Sequence, residues 1–421
     1  MKVVFNEIIA FSRRVGFHIV ALLAFFLIDP YQKNFLAGYL LTAFIYIKKD
    51  FILRRIDTDF VLIQAFAIVY ALFSLIDPEI FTQTVIFYGV FPPVFFLLGR
   101  YLMSKTKRVD DIFVILFTVG MLYSVSALLS VTFNLKSGGY ANFDRAIPMI
   151  WSGSKPMKAT LMAAFFTFNM CIPALTLVQL KKFNIAFKAI TLLIFVQSLL
   201  CVFRLGSRTQ LAIFLITTAL TLLFILPKQS LNQNIRLLLL LAASAVLVYI
   251  YIPFDLDSEY LSTIGQRLQN SDNTGSAGGR TTRWTRSLEN LFIKPLGWDK
   301  TEFGYAHNLW LDVARTHGII PFIILIIFSV RTLLNTKKAI RFSKVSLPVT
   351  TLFFSYVLAA NLMFFVEPVT EGIFSFFLVY CFIQGFIREY IHLMGKRTLK
   401  KPALSSFETT GKKIETKTIR Q

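Results

Sequence analysis

The sequence predicts an all-α polytopic membrane protein with about twelve transmembrane helices, and three observations indicate this fold class. Of the 421 residues, 55% are hydrophobic and only 16% are charged, which is too apolar for a soluble globule of this length. The apolar residues come in long runs, and a helix needs ~20 such residues to cross a bilayer. The sequence lacks the ~10-residue segments of alternating hydrophobicity that a membrane β-barrel requires.

Helices are the default structure for these runs because lipid offers no hydrogen-bond partner, so each backbone amide has to be satisfied within its own segment. The chain then divides into spans one to nine (1–253), a large outside loop (254–318), spans ten to twelve (319–392) and a basic tail (393–421). The twelve runs interpreted as spans lie approximately at residues 15–29, 34–47, 60–76, 84–99, 112–133, 159–180, 186–203, 208–226, 236–253, 319–335, 347–366 and 373–391.

The Lys and Arg residues of the loops predict the orientation, because cytoplasmic loops carry the excess of these residues. With the N-terminus inside, the inside segments hold 30 Lys/Arg and 9 Asp/Glu, whereas the outside segments hold 14 of each kind. The formal net charge of +21 is therefore explained by topology, with both termini cytoplasmic. It does not require a nucleic-acid partner, and no RNA-binding motif is present.

The sequence predicts no metal site and no cofactor. Cys171, Cys201 and Cys381 lie in or near apolar runs without a CxxC pair, which favours core packing. The outside loops lack a His/Asp cluster for zinc, and their one D-x-D pattern is Asp255 with Asp257. Because this pair sits at the end of a span, we interpret it as a helix cap.

Two outside segments are longer than ordinary connections, and long connections in compact proteins are usually functional. The first, at 134–158, holds Tyr140, Asp144, Arg145 and Trp151. Aromatic and polar residues together would suit a sugar, but tyrosine and tryptophan at a membrane interface give the same composition without binding anything. Both interpretations stay open.

The second long segment, at 254–318, is predicted to contain two helices. One face of the first helix is predicted to be apolar, because apolar residues recur at helical spacing at Trp284, Leu288, Leu291 and Phe292. The same periodicity puts Arg280 near the edge of this face and Arg283 on its flank. Lys294-Pro295 ends this helix. The second helix is predicted from His307 to His317, and the helix dipole favours a histidine at its end.

The turn between spans seven and eight, Arg204-Leu-Gly-Ser-Arg208-Thr-Gln, has the residues of a helix stop followed by a helix start. Gly206 suits the stop, and Ser207 with Gln210 fits an S-x-x-Q capping box, which makes Arg208 the first residue of span eight. The free N–H groups of this helix N-terminus, with Arg208 and Arg204, would form a pyrophosphate cradle. In the alternative, both arginines snorkel at the interface, although the outside face does not call for positive charge.

Arg280 and Arg283 form a second basic pair. Arg280 follows Gly278-Gly279, which permits close approach of a ligand to the backbone, so we interpret it as a phosphate ligand. The alternative is that both are surface charges of an amphipathic helix lying on the membrane. A histidine with a pKa near neutral can take a proton from an attacking hydroxyl, and His307 is the candidate, although a lone histidine is more often structural.

These motifs together resemble those of a known family. His307-Asn308-x-x-Leu311, followed after six residues by Gly318-Ile-Ile, resembles the histidine motif of the O-antigen ligase and polymerase superfamily. Gly279-Arg280-x-x-x-Trp284 and the Pro295-Leu-Gly that follows it are similar to the same family, and Arg208 is similar to its upstream arginine. Residues 200–330 carry this detail. The rest matches in architecture alone, a GT-C-like bundle of about twelve spans with a large periplasmic loop containing short amphipathic helices.

The resemblance implies a metal-independent, inverting glycosyltransferase of the bacterial inner membrane with a periplasmic active site. It implies that Arg208, Arg280, Arg204 and Arg283 hold the diphosphate of an undecaprenyl-diphosphate-linked oligosaccharide. His307 would deprotonate or orient the acceptor hydroxyl, and the neighbouring Asn308 and Tyr305 are expected to support the site. This chain has no clear second histidine upstream of His307 within the motif, so the resemblance does not extend to a role that needs one.

Within this class, the acceptor separates two functions. A polymerase uses a second lipid-linked repeat, and a chain-length regulator would be a further partner; a ligase uses lipid A–core. The compact Gly-Gly-Arg…Trp…Pro-Leu-Gly…His-Asn run is slightly closer to polymerases. A lipid-linked glycan transporter or a scaffold protein is a lesser alternative, because a transporter would need charged or helix-breaking residues in mid-span. Pro92-Pro93 and Pro173 are such breaks, but the spans hold almost no buried ionisable groups and the charges gather at one face instead.

Overall fold

A computed structural model describes residues 2–76, 81–139, 145–151, 156–176, 185–251, 279–299 and 301–400, and these residues are mostly helical. The first half contains α1 (Lys2–Val15), α2 (Phe17–Ile28), α3 (Asn34–Ile47), α4 (Lys49–Leu53), α5 (Thr58–Ser74), α6 (Thr82–Ser104), α7 (Val109–Gly138), β1 (Ile147–Pro148), β2 (Pro156–Met157), α8 (Ala159–Ala164), α9 (Thr167–Cys171) and α10 (Pro173–Thr176). The second half contains α11 (Ile185–Leu205), α12 (Arg208–Ile225), α13 (Leu231–Tyr251), α14 (Arg280–Ile293), α15 (Leu309–His317), α16 (Ile319–Ile340), α17 (Leu347–Val366), α18 (Val369–Gly372) and α19 (Phe374–Lys400). Single 3-10 turns lie at Pro30–Gln32, Leu226–Lys228 and Arg341–Lys344.

The protein is an all-α polytopic membrane protein by the length and composition of its helices. Among the described residues, 7 helices are long and apolar enough to cross a bilayer, and α1 with α2 adds an eighth if this bent pair is one span. The apolar helices Asn34–Ile47, Thr58–Ser74 and Leu231–Val246 are shorter. The seven long segments are Thr82–Ser104, Asp111–Ser137, Ile185–Leu205, Arg208–Lys228, Ile319–Lys344, Leu347–Val366 and Phe374–Lys396.

Two of the predicted spans differ from straight helices. The chain bends by 102° between α1 and α2, at Gly16, whose φ of 105° is outside the range of ordinary side-chain-bearing residues. The predicted sixth span, at 159–180, is divided into the short helices α8, α9 and α10. Pro173 begins the last of these, because proline has no N–H to donate to the preceding turn. Residues 177–184 of this predicted span lie outside the described part.

The centre of the bundle is the close packing of α19 against α6, which two glycines permit. A Cβ atom on Gly99 would overlap the carbonyl oxygen of Phe382, and a Cβ atom on Gly385 would overlap that of Phe96. Small residues of this kind let helix backbones approach closely in a membrane. Helix α5 packs on α6 and on α16, so these four helices form the frame on which both ends of the bundle are built.

Segments that the charge pattern predicts to be inside meet at one end of the frame. Asp57 accepts from Arg100 at 2.8 Å and from Arg388 at 2.9 Å, and Glu389, which is completely buried, lies 3.4 Å from Arg100. Asp59 is also buried and pairs with Arg388. The network is completed by Arg55, which donates to Glu389, and by Arg331 and Asn335, which both donate to Asp59. These buried charges are therefore paired, as burial requires.

Candidate active site

The opposite end of the frame contains helix α14 and the loop that carries His307. Helix α14 begins at Arg280 directly after Gly279, which has a φ of 78°. Trp284 Nε1 donates to the carbonyl oxygen of Ala306 at 2.8 Å, and Arg283 Nη1 donates to that of Tyr305 at 3.4 Å. The first turns of α14 therefore hold the two residues that precede His307.

The predicted end of α14 before Lys294-Pro295 is confirmed, but its predicted apolar face is wrong in part. Leu291 is buried, whereas Leu288 is 50% exposed and Phe292 is 78% exposed. The helix docks through Leu291 onto Trp298 and Ala314, so the apolar residues one step around the helix face away from the protein. The buried residues of the helix are Ser287 and Leu291, and Trp284 beside them is half-buried.

A buried carboxylate clamps the backbone on both sides of His307. Asp312 Oδ1 accepts from the N–H of Ala306 at 2.8 Å, and its Oδ2 accepts from the N–H of Asn308 at 3.0 Å. His307 has a φ of 54°, a left-handed conformation that a side-chain-bearing residue adopts only when its surroundings impose it. The clamp supplies that constraint, so Asp312 positions the imidazole without touching it.

Asn308 begins the helix that carries this clamp. Its Oδ1 accepts from the N–H of Leu311 at 3.2 Å, which makes it the N-cap of α15. Helix α15 thus starts two residues later than the predicted start at His307 and ends at His317 as predicted. Tyr305 supports the loop from the other side, with its ring 5.3 Å from the guanidinium carbon of Arg315, which pairs with Glu371.

Replacing Asp312 with Asn is expected to disorder the His307 loop and to lower the activity of the site. An amide offers only one acceptor oxygen, so its NH₂ group would face a backbone N–H, and a buried unsatisfied group costs ~1–3 kcal/mol. Hydrogen exchange at the amides of Ala306 and Asn308 should become faster. Asp299→Asn is the matched control, because exposed Asp299 also accepts from a backbone N–H, that of Thr301, at 2.7 Å. Unchanged exchange in Asp312→Asn would show that the clamp does not hold the loop.

The Pro295-Leu-Gly motif holds helix α15 by backbone contacts alone. Trp298 N donates to the carbonyl oxygen of Arg315 at 2.9 Å, and Ile319 N donates to that of Pro295 at 2.8 Å. A Cβ atom on Gly297 would lie 2.5 Å from the Arg315 oxygen, and one on Gly318 would overlap the Pro295 oxygen. Gly297 and Gly318 also have positive φ. Both positions therefore need glycine, for the close backbone approach and for the backbone conformation.

Charged groups surround His307. Glu367, the first residue after α17, is 2% exposed, and its Oε1 lies 3.5 Å from Arg280 Nη2. Its Oε2 lies 4.0 Å from His307 Nδ1, which is beyond hydrogen-bond distance. His307 Nδ1 makes no hydrogen bond with any other described residue. The imidazole and the carboxyl group are therefore neighbours that are not hydrogen-bonded to each other.

Burial and the surrounding cations decide the protonation of this pair. Burial, then Arg280, Arg283 and Lys158, lower the pKa of His307 to about 4. Burial raises the pKa of Glu367 to about 7, although Arg280 opposes this shift. The imidazole is thus neutral at neutral pH, so the contact with Glu367 is not an ion pair in the unliganded protein. A neutral imidazole can accept a proton.

The turn before α12 agrees with the sequence at most of its positions. Helix α11 ends at Leu205, Gly206 has a φ of 57°, and Arg208 is the first residue of α12. Ser207 Oγ accepts from the N–H of Gln210 at 3.4 Å, which confirms the predicted cap. The reciprocal half of the capping box is wrong, because Gln210 Nε2 donates to Thr167 Oγ1 at 3.0 Å instead.

The arginines of this turn lie in different environments. Arg204 is completely buried, and its Nη2 donates to Asn134 Oδ1 at 2.7 Å. Arg145 Nε donates to the carbonyl oxygen of Leu205 at 2.7 Å, which brings a residue of the 134–158 loop to the end of α11. Burial and the charge of Arg208 lower the pKa of Arg145, so the two guanidinium groups are close neighbours. Sequence reasoning missed Arg145 as a partner of Arg208.

A two-stranded hairpin lies between the Arg208 turn and His307. Strands β1 and β2 are antiparallel with Ile147 opposite Met157, so Arg145 before β1 and Lys158 after β2 flank the same end of the hairpin. Arg145 interacts with Arg208, and Lys158 acts on the pKa of His307. Helix α8, which follows Lys158, packs on α12. The predicted site residues therefore share one end of the bundle, with two further cations between them.

His317, predicted as a helix-end residue that the dipole favours, has another role. Its Nε2 lies 2.7 Å from Ser74 Oγ, and its ring stacks on Tyr70 with the ring centroids 3.8 Å apart. Burial, with the charge of Arg315, lowers its pKa to about 3. This shift favours the neutral ring, whereas the dipole interpretation requires a charged histidine, although His317 does lie at the helix end as predicted. His317 packs α15 against α5.

The described residues contain no group of three or more His, Cys, Asp or Glu side chains that could hold a metal ion. Asp255 and Asp257 lie outside the described part, as do Tyr140 and Asp144. Cys171, Cys201 and Cys381 are free thiols in the buried core.

No protein-family model matches the chain, and no curated protein sequence is significantly similar to it.

Proposed function

We propose that the protein is a glycosyltransferase of the bacterial inner membrane that moves a glycan from undecaprenyl diphosphate to an acceptor hydroxyl at the periplasmic face. The observation that carries the proposal is the set of cations around a neutral imidazole: Arg280, Arg283 and Lys158 act on His307. Arg145, which flanks the same end of the hairpin as Lys158, interacts with Arg208. Such a rim suits a ligand with a strongly anionic group next to a hydroxyl that has to lose a proton.

In the proposed reaction, Arg208 and Arg280 bind the diphosphate that links the glycan to the lipid. The acceptor oxygen attacks the anomeric carbon as the bond from that carbon to the diphosphate oxygen breaks, so the configuration inverts. His307 takes the acceptor proton, and undecaprenyl diphosphate leaves with its negative charge held by guanidinium groups. Arg283 acts through its bond to Tyr305, and buried Arg204 supports the turn below Arg208.

Glu367 completes this mechanism. The imidazolium that forms when His307 takes the proton would lie 4.0 Å from the Glu367 carboxyl group, whose pKa of about 7 leaves part of it ionised at neutral pH. Opposite charge at this distance favours the protonated ring. A negatively charged diphosphate would also neutralise the cations that lower the pKa of His307. His307 should therefore become a stronger base when the donor is bound, which couples proton transfer to occupancy of the site.

The pKa of His307 is the measurement that tests this coupling. In protein labelled with ¹⁵N-histidine, the chain has only 4 histidines, and a His307→Ala sample identifies the signal of interest. We expect a pKa of about 4 in the free protein and a higher value after undecaprenyl diphosphate is added. Arg280→Gln should also raise it, because one of the lowering charges is removed. A pKa that does not respond to the lipid diphosphate would contradict the coupling.

The function is tested by incubating purified protein with lipid-linked oligosaccharide, with and without a lipid A–core acceptor, and separating the products on a gel. A ladder of longer chains without core supports the polymerase that we favour. A product that forms only with core supports the ligase. Lipid-linked glycan that is moved across vesicles without any covalent change would support a transporter and overturn the proposal.

A further inference from the structure

A second concave site lies beside the hairpin at the same end of the bundle. It is a small cleft of about 60 Å³ between the turn that joins α2 to α3 and the segment around β1 and β2. Asp29, Gln32 and Asn34 form one wall. Trp151 and Met157 form the opposite wall, and Ser375 of α19 closes the end.

The turn that forms the first wall has an unusual backbone. Asp29, Tyr31 and Gln32 have φ values of 52°, 57° and 55°. They are three of the four side-chain-bearing residues with positive φ in the described part of the chain, and His307 is the fourth. The turn is held by Asp29 Oδ1, which accepts from Asn34 N at 2.9 Å, and by Ser126, which donates to the carbonyl oxygen of Ile28. Strain of this kind clusters at ligand-binding and active sites.

The chemistry of the lining differs from that of the His307 site. The polar groups are a carboxyl, two amides and hydroxyls, and no Lys or Arg is among the lining residues. The cleft therefore does not suit a phosphate. Carboxyl and amide groups can both donate to and accept from the hydroxyls of a sugar ring, and an indole provides a flat apolar surface for its C–H face. This combination fits an uncharged saccharide.

The second strand ends between the cleft and the surroundings of His307. Met157 lines the cleft, and the next residue, Lys158, acts on His307. Ser375 lies at the start of α19, four residues after Glu371, which pairs with Arg315 beside Tyr305.

We propose that this cleft binds the terminal sugars of the acceptor glycan, while the cationic rim binds the donor. The identification of this saccharide as the acceptor rests on the proposed function, whereas the binding of a saccharide in the cleft does not. The two sites would then divide the substrates by charge, one for diphosphate and one for uncharged sugar. The acceptor hydroxyl would reach His307 from the side of the hairpin.

Trp151→Ala and Gln32→Ala are the test variants, with Phe17→Ala as the control, because Phe17 is 75% exposed and does not line the cleft. In the transfer assay, each test variant should raise KM for the acceptor about tenfold with kcat little changed, the pattern of lost ground-state binding. Binding of undecaprenyl diphosphate should stay unchanged in all three variants. An acceptor KM that matches the control in both test variants would overturn the proposal.

Direct binding separates this inference from the proposed function. Free oligosaccharide repeat is titrated into detergent-solubilised wild-type protein and into Trp151→Ala, and binding is followed by saturation-transfer NMR. Binding that is lost in Trp151→Ala supports a saccharide cleft even if no transfer is ever observed. The inference is wrong if the oligosaccharide does not bind. It is also wrong if a brominated phospholipid quenches Trp151 and the sugar does not displace the phospholipid, because the cleft then holds a lipid chain.

Discussion

His307→Ala is expected to reduce glycan transfer about 10²- to 10⁴-fold, the range that a positioned general base contributes. The imidazole is neutral, its Nδ1 lies 4.0 Å from Glu367, and the clamp of Asp312 fixes the backbone on both sides of it. Removing the ring leaves the clamp and α15 in place, so the protein should insert and fold. The rate of product formation by purified protein is the measurement.

The control for this variant is His18→Ala, which removes an exposed imidazole on helix α2 whose ring contacts only that of Phe44 among the described aromatic pairs. Its transfer rate should equal that of the wild type. Full activity in His307→Ala would remove the histidine from the mechanism. Glu367→Gln should give an intermediate loss, because the ring can still accept a proton but its charged form loses a stabilising carboxylate.

The second large effect is expected at the arginines that we assign to the diphosphate. Arg208→Lys should impair transfer severely, because a point charge cannot replace a planar fork that binds two phosphate oxygens. Arg208→Ala combined with Arg280→Ala should abolish binding of undecaprenyl diphosphate, measured by titration in detergent. In the wild type, binding of the lipid diphosphate should weaken with rising salt, because phosphate binding to an open rim is screened.

Arg286→Ala provides the matched control on the same helix as Arg280. Its side chain is exposed, and helix α14 turns it away from the His307 loop. Binding should therefore match the wild type. If the double variant of Arg208 and Arg280 still binds the lipid diphosphate as the wild type does, the cationic rim is not its site.

Local features of the sequence predicted local structure well. Gly206, Ser207 and Arg208 form the predicted stop and start, and α14 ends before Lys294-Pro295. These features depend on backbone geometry and on partners within a few residues, which a sequence displays directly. The number of spans was harder, because a run of apolar residues such as 159–180 does not reveal that its helix is broken into three pieces.

Two of the residues that sequence reasoning missed have partners that are distant along the chain. Glu367 is 60 residues from His307, and Arg145 is 60 residues from the carbonyl oxygen that it binds, on Leu205. Asp312 looked like an ordinary residue in the first turn of a helix. One usable signal existed for Glu367: it lies, with Glu371, at the outside end of a predicted span, where a charge needs a partner.

The same dependence on distant partners has a consequence for biogenesis. Arg55 meets Glu389 across 334 positions of sequence, and Arg100 meets the same carboxylate. Because translation is sequential, the early helices enter the bilayer long before that acidic group has been synthesised. Until α19 has been synthesised and inserted, the guanidinium groups of Arg55 and Arg100 lack this carboxylate, so the bundle can be completed only after translation of its last helix.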